Sequence, residues 1–308
     1  MVFDCCLKCA ATAPKESYDY SMKLLKEVPG LLSGKNNPHP GYVYDASHKQ
    51  RTFEKCPICG GESEPYYNAF AYRMGHFNSP FEPFKLWSKC SSCGNLHTWK
   101  FAEEYLTQSL HEKMVTPNED SSYKFSTIGN AGSLAVWGNI LNKLKAYTDK
   151  KTLLEVGIGQ GELLSVALEM GYETNAVELD GEKAQEISDI LNIPIWAGDF
   201  LNFNSDKTFS VITMGDVIEH VTDPKKALRN AYRLLDDDGV LWLSTPNFES
   251  SFTRLKKFTD AMWCEPSHIS YFNYSGFEAL LEKCGFIVRE YTVSTRYNGS
   301  MELIITKR

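Results

Sequence analysis

Residues 153–164, "LLEVGIGQGELL", join an apolar run to three glycines and then to the first turn of an apolar-periodic helix. Gly157, Gly159 and Gly161 stand where a strand has to turn into a helix. Glycine at such a turn supplies backbone conformations closed to other residues and lets a ligand approach the main chain. Working outward, the same alternation repeats. Residues 172–179 and 209–216 read as strands, and so does the short run 193–198. Residues 181–191 and 223–235 read as helices, the second opened by Asp223 as N-cap and Pro224 in the first turn. A strand at 239–245, a helix at 275–285 and two strands at 286–293 and 299–307 complete the series. Upstream, residues 133–147 put Leu134, Trp137, Leu141 and Leu144 on one helical face. Strand–helix repeats of this kind predict a doubly wound, seven-stranded, mostly parallel sheet, closed by an antiparallel edge pair.

In such a sheet the ligand lies beyond the carboxyl ends of the strands, where the strand order reverses, and the glycine turn lines that crevice. A dinucleotide fingerprint, G-x-G-x-x-G, fits only in part, because its third position is Glu162. Glu155 ends the strand and Glu162 opens the helix. Two carboxylates flanking the turn repel a pyrophosphate and suit a cationic ligand. S-adenosylmethionine, with a sulfonium and an ammonium against one carboxylate, is such a ligand.

The stretch "LLEVGIGQGELL", "AVELD" ending in the region of Glu178, "AGDF" with Asp199 and Phe200, "MGDVIEHVTDP", "STPN" and "HISYFNYSGFEALLEKCGF" follow in order along the chain. Together they resemble the motifs of class I S-adenosylmethionine-dependent methyltransferases of the ubiquinone-biosynthesis and small-molecule branch, over about residues 120–308. The resemblance implies a Rossmann-like fold and a cofactor site built from Glu155, Gly157, Gly159, Gly161, Glu178, Leu179, Asp199, Phe200, Met214 and Asp216. Within it, Glu178 is expected to hold ribose hydroxyls, Asp199 the adenine amino group, and Phe200 the adenine ring. His268, in the long segment after the fifth strand, and His220, after the fourth, are the candidate catalytic bases, since imidazole titrates near neutrality. A hydrogen bond that only fixes the loop is the alternative for His220. Asp216, Glu219 and His220 also admit a divalent cation orienting the acceptor, and Asp216 could equally cap a turn. Tyr123, Trp263, Tyr271 and Phe272 read either as an apolar acceptor wall or as core.

Nine cysteines fall unevenly along the 308 residues. Cys56, Cys59, Cys90 and Cys93 form two C-x-x-C-G knuckles, the ligand set of a closed, structural zinc site. A redox pair used twice is the alternative, but no thioredoxin-like pattern surrounds either knuckle. "KCPICGGE" and "KCSSCGNLHTW" resemble the zinc ribbon that precedes many bacterial methyltransferase domains of this branch. Cys5, Cys6 and Cys9 lack a fourth ligand nearby and read as free thiols on an irregular arm. The expected organisation is an arm at 1–50 (with linker-like composition at 30–50), a zinc-ribbon module at 51–110 and the methyltransferase domain at 111–308.

Hydrophobic residues make up 43% of the chain, enough for a packed core, and the net charge is −7. That charge argues against a surface built to neutralise nucleic-acid phosphates. No run reaches the ~20 apolar residues of a membrane span, and "MVFDCCLKCA" lacks the pattern of a signal peptide, so a cytoplasmic protein is expected. The leading expectation is methyl transfer to a small-molecule acceptor. A protein or RNA acceptor docked by the ribbon, or a non-catalytic cofactor-binding scaffold, are the alternatives. Oligomeric state is not encoded in any recognisable signal.

Overall fold

The structure is a computed structural model that describes residues 13–27, 47–71, 81–103 and 131–308. Contacts divide the chain into two units: Met1–Thr116 with Phe248–Gly276, and Pro117–Asn247 with Phe277–Arg308. Cys5, Cys6, Cys9, Tyr123 and most of the linker-like stretch lie outside the described residues. None of the described helices is long and apolar enough to cross a membrane.

The first unit opens with helix α1 (Pro14–Glu27). Strand β1 (Gln50–Thr52) follows, then β2 (Ser63–Ala69), β3 (Lys85–Cys90), β4 (Leu96–Thr98) and β5 (Lys100–Ala102). β2, β3 and β4 pair antiparallel, and β1 pairs with β5. α1 lies within the stretch 1–50 expected as an N-terminal arm, where the sequence reading has no helix. Its inner face is Ser17, Tyr18 and Ser21, all buried, and Asn68 Nδ2 on β2 donates to Ser17 Oγ at 3.2 Å. Two small hydroxyls and one aromatic ring form a contact face that a count of aliphatic residues does not register.

The second unit begins with α2 (Ala131–Leu144). Leu141 and Leu144 are fully buried, but Leu134, expected on the same face, is 38% exposed. The alternation then runs β6 (Thr152–Val156), α3 (Glu162–Glu169), β7 (Glu173–Glu178), α4 (Gly181–Leu191), β8 (Ile195–Ala197), β9 (Phe209–Gly215), α5 (Pro224–Leu234) and β10 (Leu235–Pro246). Asp180 and Asp223 cap α4 and α5, accepting from Lys183 N–H at 3.0 Å and Lys226 N–H at 2.8 Å. α5 buries Ala227, Leu228, Ala231 and Leu234 on one face, as its period requires. It passes straight into β10. The strand expected at 239–245 thus begins earlier, at Leu235, with an irregularity between Leu235 and Val240 in the pairing with β9.

The chain next gives Phe248–Gly276 to the first unit. There α6 (Ser251–Lys256) is capped by Ser250 Oγ, and β11 (Ser270–Tyr271) pairs antiparallel with β4, so that the sheet runs β11-β4-β3-β2. Tyr67, Trp87, Leu96, Phe248, Trp263 and Tyr271 form that unit's aromatic core, and Trp87 Nε1 donates to the Trp263 carbonyl at 2.9 Å. This division differs from a linear boundary near residue 110, since a late segment folds with the early one.

Helix α7 (Tyr274–Lys283) and strands β12 (Phe286–Val293) and β13 (Ser300–Lys307) end the chain. The large sheet has the order β12-β13-β10-β9-β6-β7-β8. β8, β7, β6, β9 and β10 run parallel, β13 pairs antiparallel with both β10 and β12, and so β13 alone runs against the other six strands. The seven-stranded, mostly parallel sheet matches the expectation, except that β13 lies inside, between β10 and β12, so that of the closing pair only β12 is an edge. The order reverses between β6 and β9, which places the glycine turn at the switch point.

Candidate functional site

Gly157, Gly159 and Gly161 all have left-handed backbones, with φ of 74°, 53° and 80°. A Cβ on Gly157 would lie 2.7 Å from Val217 Cγ2, so a larger residue would have to displace that methyl as well as adopt a strained backbone. A Cβ on Gly159 would meet nothing within 4 Å, which leaves that part of the main chain open to a ligand. Glu178, at the end of β7, braces the turn. Its Oε2 accepts from Ile158 N–H at 3.0 Å and its Oε1 from Asp180 N–H at 2.9 Å. A carboxylate offers about four lone-pair positions, so hydroxyl donors can still be accepted.

Glu155 is the anomaly of the sheet. It sits on the central strand between Ala176 and Thr213, and only 6% of its surface is exposed. Its Oε2 is buried without a hydrogen-bond partner. Burial pushes its carboxyl well above the usual carboxylate range, and the charges of Glu178 and Glu162 push the same way, against Arg296. Glu162 accepts from Trp137 Nε1 at 3.3 Å. Three acidic groups thus converge on one glycine turn. Leu179 follows Glu178, half-buried. Met214, fully buried, is the penultimate residue of β9 and pairs with Val156.

Asp199 caps a short turn, accepting from Leu201 N–H at 2.8 Å, and the buried Phe200 ring stacks on Phe203. Asp216, with φ of 56°, spends one oxygen on Ser244 Oγ (3.0 Å) and the other on Arg296 (2.8 Å). Arg296 itself lies 4.6 Å from the Trp137 ring centroid and 5.1 Å from that of Trp242. A divalent cation at Asp216 would have to displace that guanidinium. Glu219, fully buried, accepts from Thr245 Oγ1 at 3.1 Å, and burial, reinforced by Asp216, pushes its carboxyl well above the usual range. His220 follows, half-buried, its N–H bonded to the Val217 carbonyl at 2.9 Å. Arg296 has no motif around it. Arg296 meets its carboxylate across 80 positions of sequence.

The first unit holds the cysteine knuckles. The sulfurs of Cys56, Cys59, Cys90 and Cys93 all lie within 4.8 Å of one another, with Cys56–Cys93 at 3.8 Å and Cys59–Cys90 at 3.4 Å. Four thiolates at ~2.3 Å around a tetrahedral zinc stand ~3.8 Å apart, so the cluster fits that ion. Gly60 and Gly94 have φ of 76° and 72°, the conformation each knuckle needs. Hydrogen bonding from Cys56 pulls Cys93 down to about 5, and the same contact, with burial, pushes Cys56 up. His268 belongs to this unit too and is 5% exposed. Its carbonyl accepts from the buried Lys85 ammonium, which also meets the carbonyls of Glu265 at 2.7 Å and Pro266 at 3.3 Å. Burial pushes Lys85 down to about 7. Trp263, Tyr271 and Phe272 are buried; Trp263 and Tyr271 belong to the aromatic core, which favours the core reading over an open wall.

A family model described as a methyltransferase domain matches residues 132–291. The chain belongs to the methyltransferase-domain family. Among its relatives, an uncharacterized methyltransferase of Staphylococcus carnosus (strain TM300) is 28% identical over 116 residues, covering 37% of this chain and 56% of the relative. A ubiquinone biosynthesis O-methyltransferase of Glaesserella parasuis serovar 5 (strain SH0165) is 29% identical over 128 residues, with shares of 35% and 54%. The chain therefore spans about half the length of the curated relatives it matches. Among solved structures, an S-adenosylmethionine-dependent methyltransferase from Clostridium acetobutylicum ATCC 824 aligns with a TM-score of 0.47 and 12% identity, over 65% of this chain and 96% of that one. The glycine turn, Glu178, Asp199 and Asp216 of this methyltransferase domain all fall inside the matched span.

Proposed function

We propose that the chain transfers a methyl group from S-adenosyl-L-methionine to a small-molecule acceptor, a hydroxyl or amine of a sugar, lipid-linked compound or natural product. Glu155 carries the proposal. A buried carboxyl with an unpartnered oxygen, beside Glu178 and Glu162 at an open glycine turn, favours a cationic ligand over a phosphate. The name of the Glaesserella relative supports a small acceptor.

When bound, the cofactor supplies a methyl group on a sulfonium, with neutral sulfur as the leaving group. In this reading Gly157, Gly159 and Gly161 let the main chain approach it. Glu155 faces its cationic end and Glu178 takes the ribose hydroxyls. Leu179, Asp199 and Phe200 hold the adenine, while Met214 and Asp216 line the floor. Positioning supplies much of the acceleration in such a transfer. A hydroxyl acceptor must also lose a proton, and His268 is the proposed base, with His220 second. Zinc is proposed at Cys56, Cys59, Cys90 and Cys93 as a structural ion.

The test is calorimetry with S-adenosylmethionine and its demethylated product, followed by a screen of small metabolites and sugar nucleotides with methyl-labelled cofactor. Binding of neither compound overturns the reading. With an acceptor in hand, His268→Ala is expected to lower turnover on a hydroxyl acceptor by about 10²-fold and leave cofactor affinity unchanged. Undiminished turnover would remove His268 from catalysis.

A further inference from the structure

The second knuckle is joined to the segment that carries His268. The turn itself is closed by Gly94 N–H to the Cys90 carbonyl and Cys90 N–H to the Asn95 carbonyl, both at 3.0 Å. Asn95, completely buried, turns its Oδ1 to Asn273 N–H at 3.0 Å. Asn273 answers with Nδ2 to the Gly94 carbonyl at 3.3 Å, while its own Oδ1 accepts from Gly276 N–H at 2.6 Å. Just past the knuckle, Leu96 and His97 pair with Tyr271 and Ser270. There is no slack between the two segments. A Cβ on Gly276 would stand 2.3 Å from the Cys93 carbonyl oxygen and 2.8 Å from both polar atoms of the Asn95 side chain.

We propose that the ion held by the four cysteines sets the position of residues 268–276, so that metal occupancy and the placement of His268 are one equilibrium. The catalytic consequence rests on the function proposed above; the mechanical coupling does not. The physical reason is local. Two of the four ligands, Cys90 and Cys93, belong to the turn whose carbonyl and neighbouring side chain hold Asn273. Without an ion that turn loses the anchor that fixes its backbone. The hydrogen bonds that Asn273 donates to Asn95 Oδ1 and to the Gly94 carbonyl, and the pairing of β4 with β11, then lose their fixed partner. Coupling between a site and a segment is reciprocal, so strain placed on the segment weakens metal retention.

The experiment uses the full chain loaded with zinc, then stripped with a chelator. Amide exchange over residues 270–276 is expected to quicken by about tenfold or more on stripping, while exchange over 153–161 and the affinity for S-adenosylmethionine stay unchanged. Equal exchange at 270–276 with and without zinc overturns the proposal. Approached from the other side, Gly276→Ala pushes a methyl group into the Cys93 carbonyl and is expected to cost about tenfold in zinc retention against a chromophoric chelator. Wild-type retention in that variant overturns it as well. Asn273→Asp is the gentler variant. It keeps the oxygen that accepts from Gly276 N–H and loses the donor to Gly94, so it should quicken exchange at 270–276 with zinc still bound; unchanged exchange counts against the coupling. None of these readouts needs methyl transfer, so a failure to find an acceptor leaves them standing and would fall on the function alone.

Discussion

Glu155 and Glu178 end adjacent strands, yet they meet the solvent and the turn in opposite ways. Glu178 is braced by two backbone amides and half-buried; Glu155 is buried with an oxygen unpartnered. Glu178→Ala should therefore weaken cofactor binding by about 1–3 kcal/mol, through lost ribose hydrogen bonds and a loosened Ile158 amide, as calorimetry would read. An unchanged affinity would withdraw the ribose role. For Glu155 the sign of the pH effect follows from its raised carboxyl. The folded state holds the proton more tightly than the unfolded state. Stability is therefore highest below the ordinary carboxylate range and falls as pH rises from that range through the raised native value. Glu155→Gln, which cannot ionise, should melt at a higher temperature than the parent at pH 8, and the gap should close by pH 5. A gap that stays constant with pH would mean that Glu155 is not forced to ionise in the fold. Both carboxylates were legible in the sequence because they lie within two residues of the glycine turn or at a fixed distance from it. Arg296 was not, because its partners come from a distant strand and no local pattern announces them.

At the scale of elements, the strand–helix alternation from β6 to β10 was readable because each piece is long enough to show its own period. What escaped was short or paired at long range. β4 and β11 have three residues and two, too few for a period, and the Asn95–Asn273 contact spans 178 positions. α1 was missed because its buried face is hydroxyl and aromatic. The knuckles, by contrast, declare themselves through spacing alone. Freshly purified protein should carry one zinc per chain, with Zn–S near ~2.3 Å by X-ray absorption. Cys90→Ser should lose it and open the first unit while cofactor affinity is retained. Stoichiometric zinc in that variant would show that Cys90 is not a ligand.

Over the whole molecule, the family match at 132–291 crosses the boundary between units, because Phe248–Gly276 lies inside the matched span and yet belongs with the N-terminal half. Sequence order hid that exchange. Residues 248–276 carry motifs expected of the large domain, and nothing in their composition says which sheet they will join. The net charge of −7 is likewise a property of the entire chain, and it argues against a surface built as a whole to neutralise nucleic-acid phosphates.

Strand β11 has a consequence for the order in which the protein is made. A ribosome delivers β2, β3 and β4 more than 150 residues before Ser270 and Tyr271, which pair along the outer side of β4. Until then, among the described residues, β4 is a bare edge, and bare edges invite pairing with other chains. The N-terminal unit thus waits, half-finished, while the large sheet is synthesised, in the manner of late-completing folds that are open to misassembly. A fragment ending at Thr116 should consequently aggregate on expression, and a separately supplied peptide covering 248–276 should improve its solubility. A fragment that is monomeric and folded without the peptide would show that β4 needs no late partner.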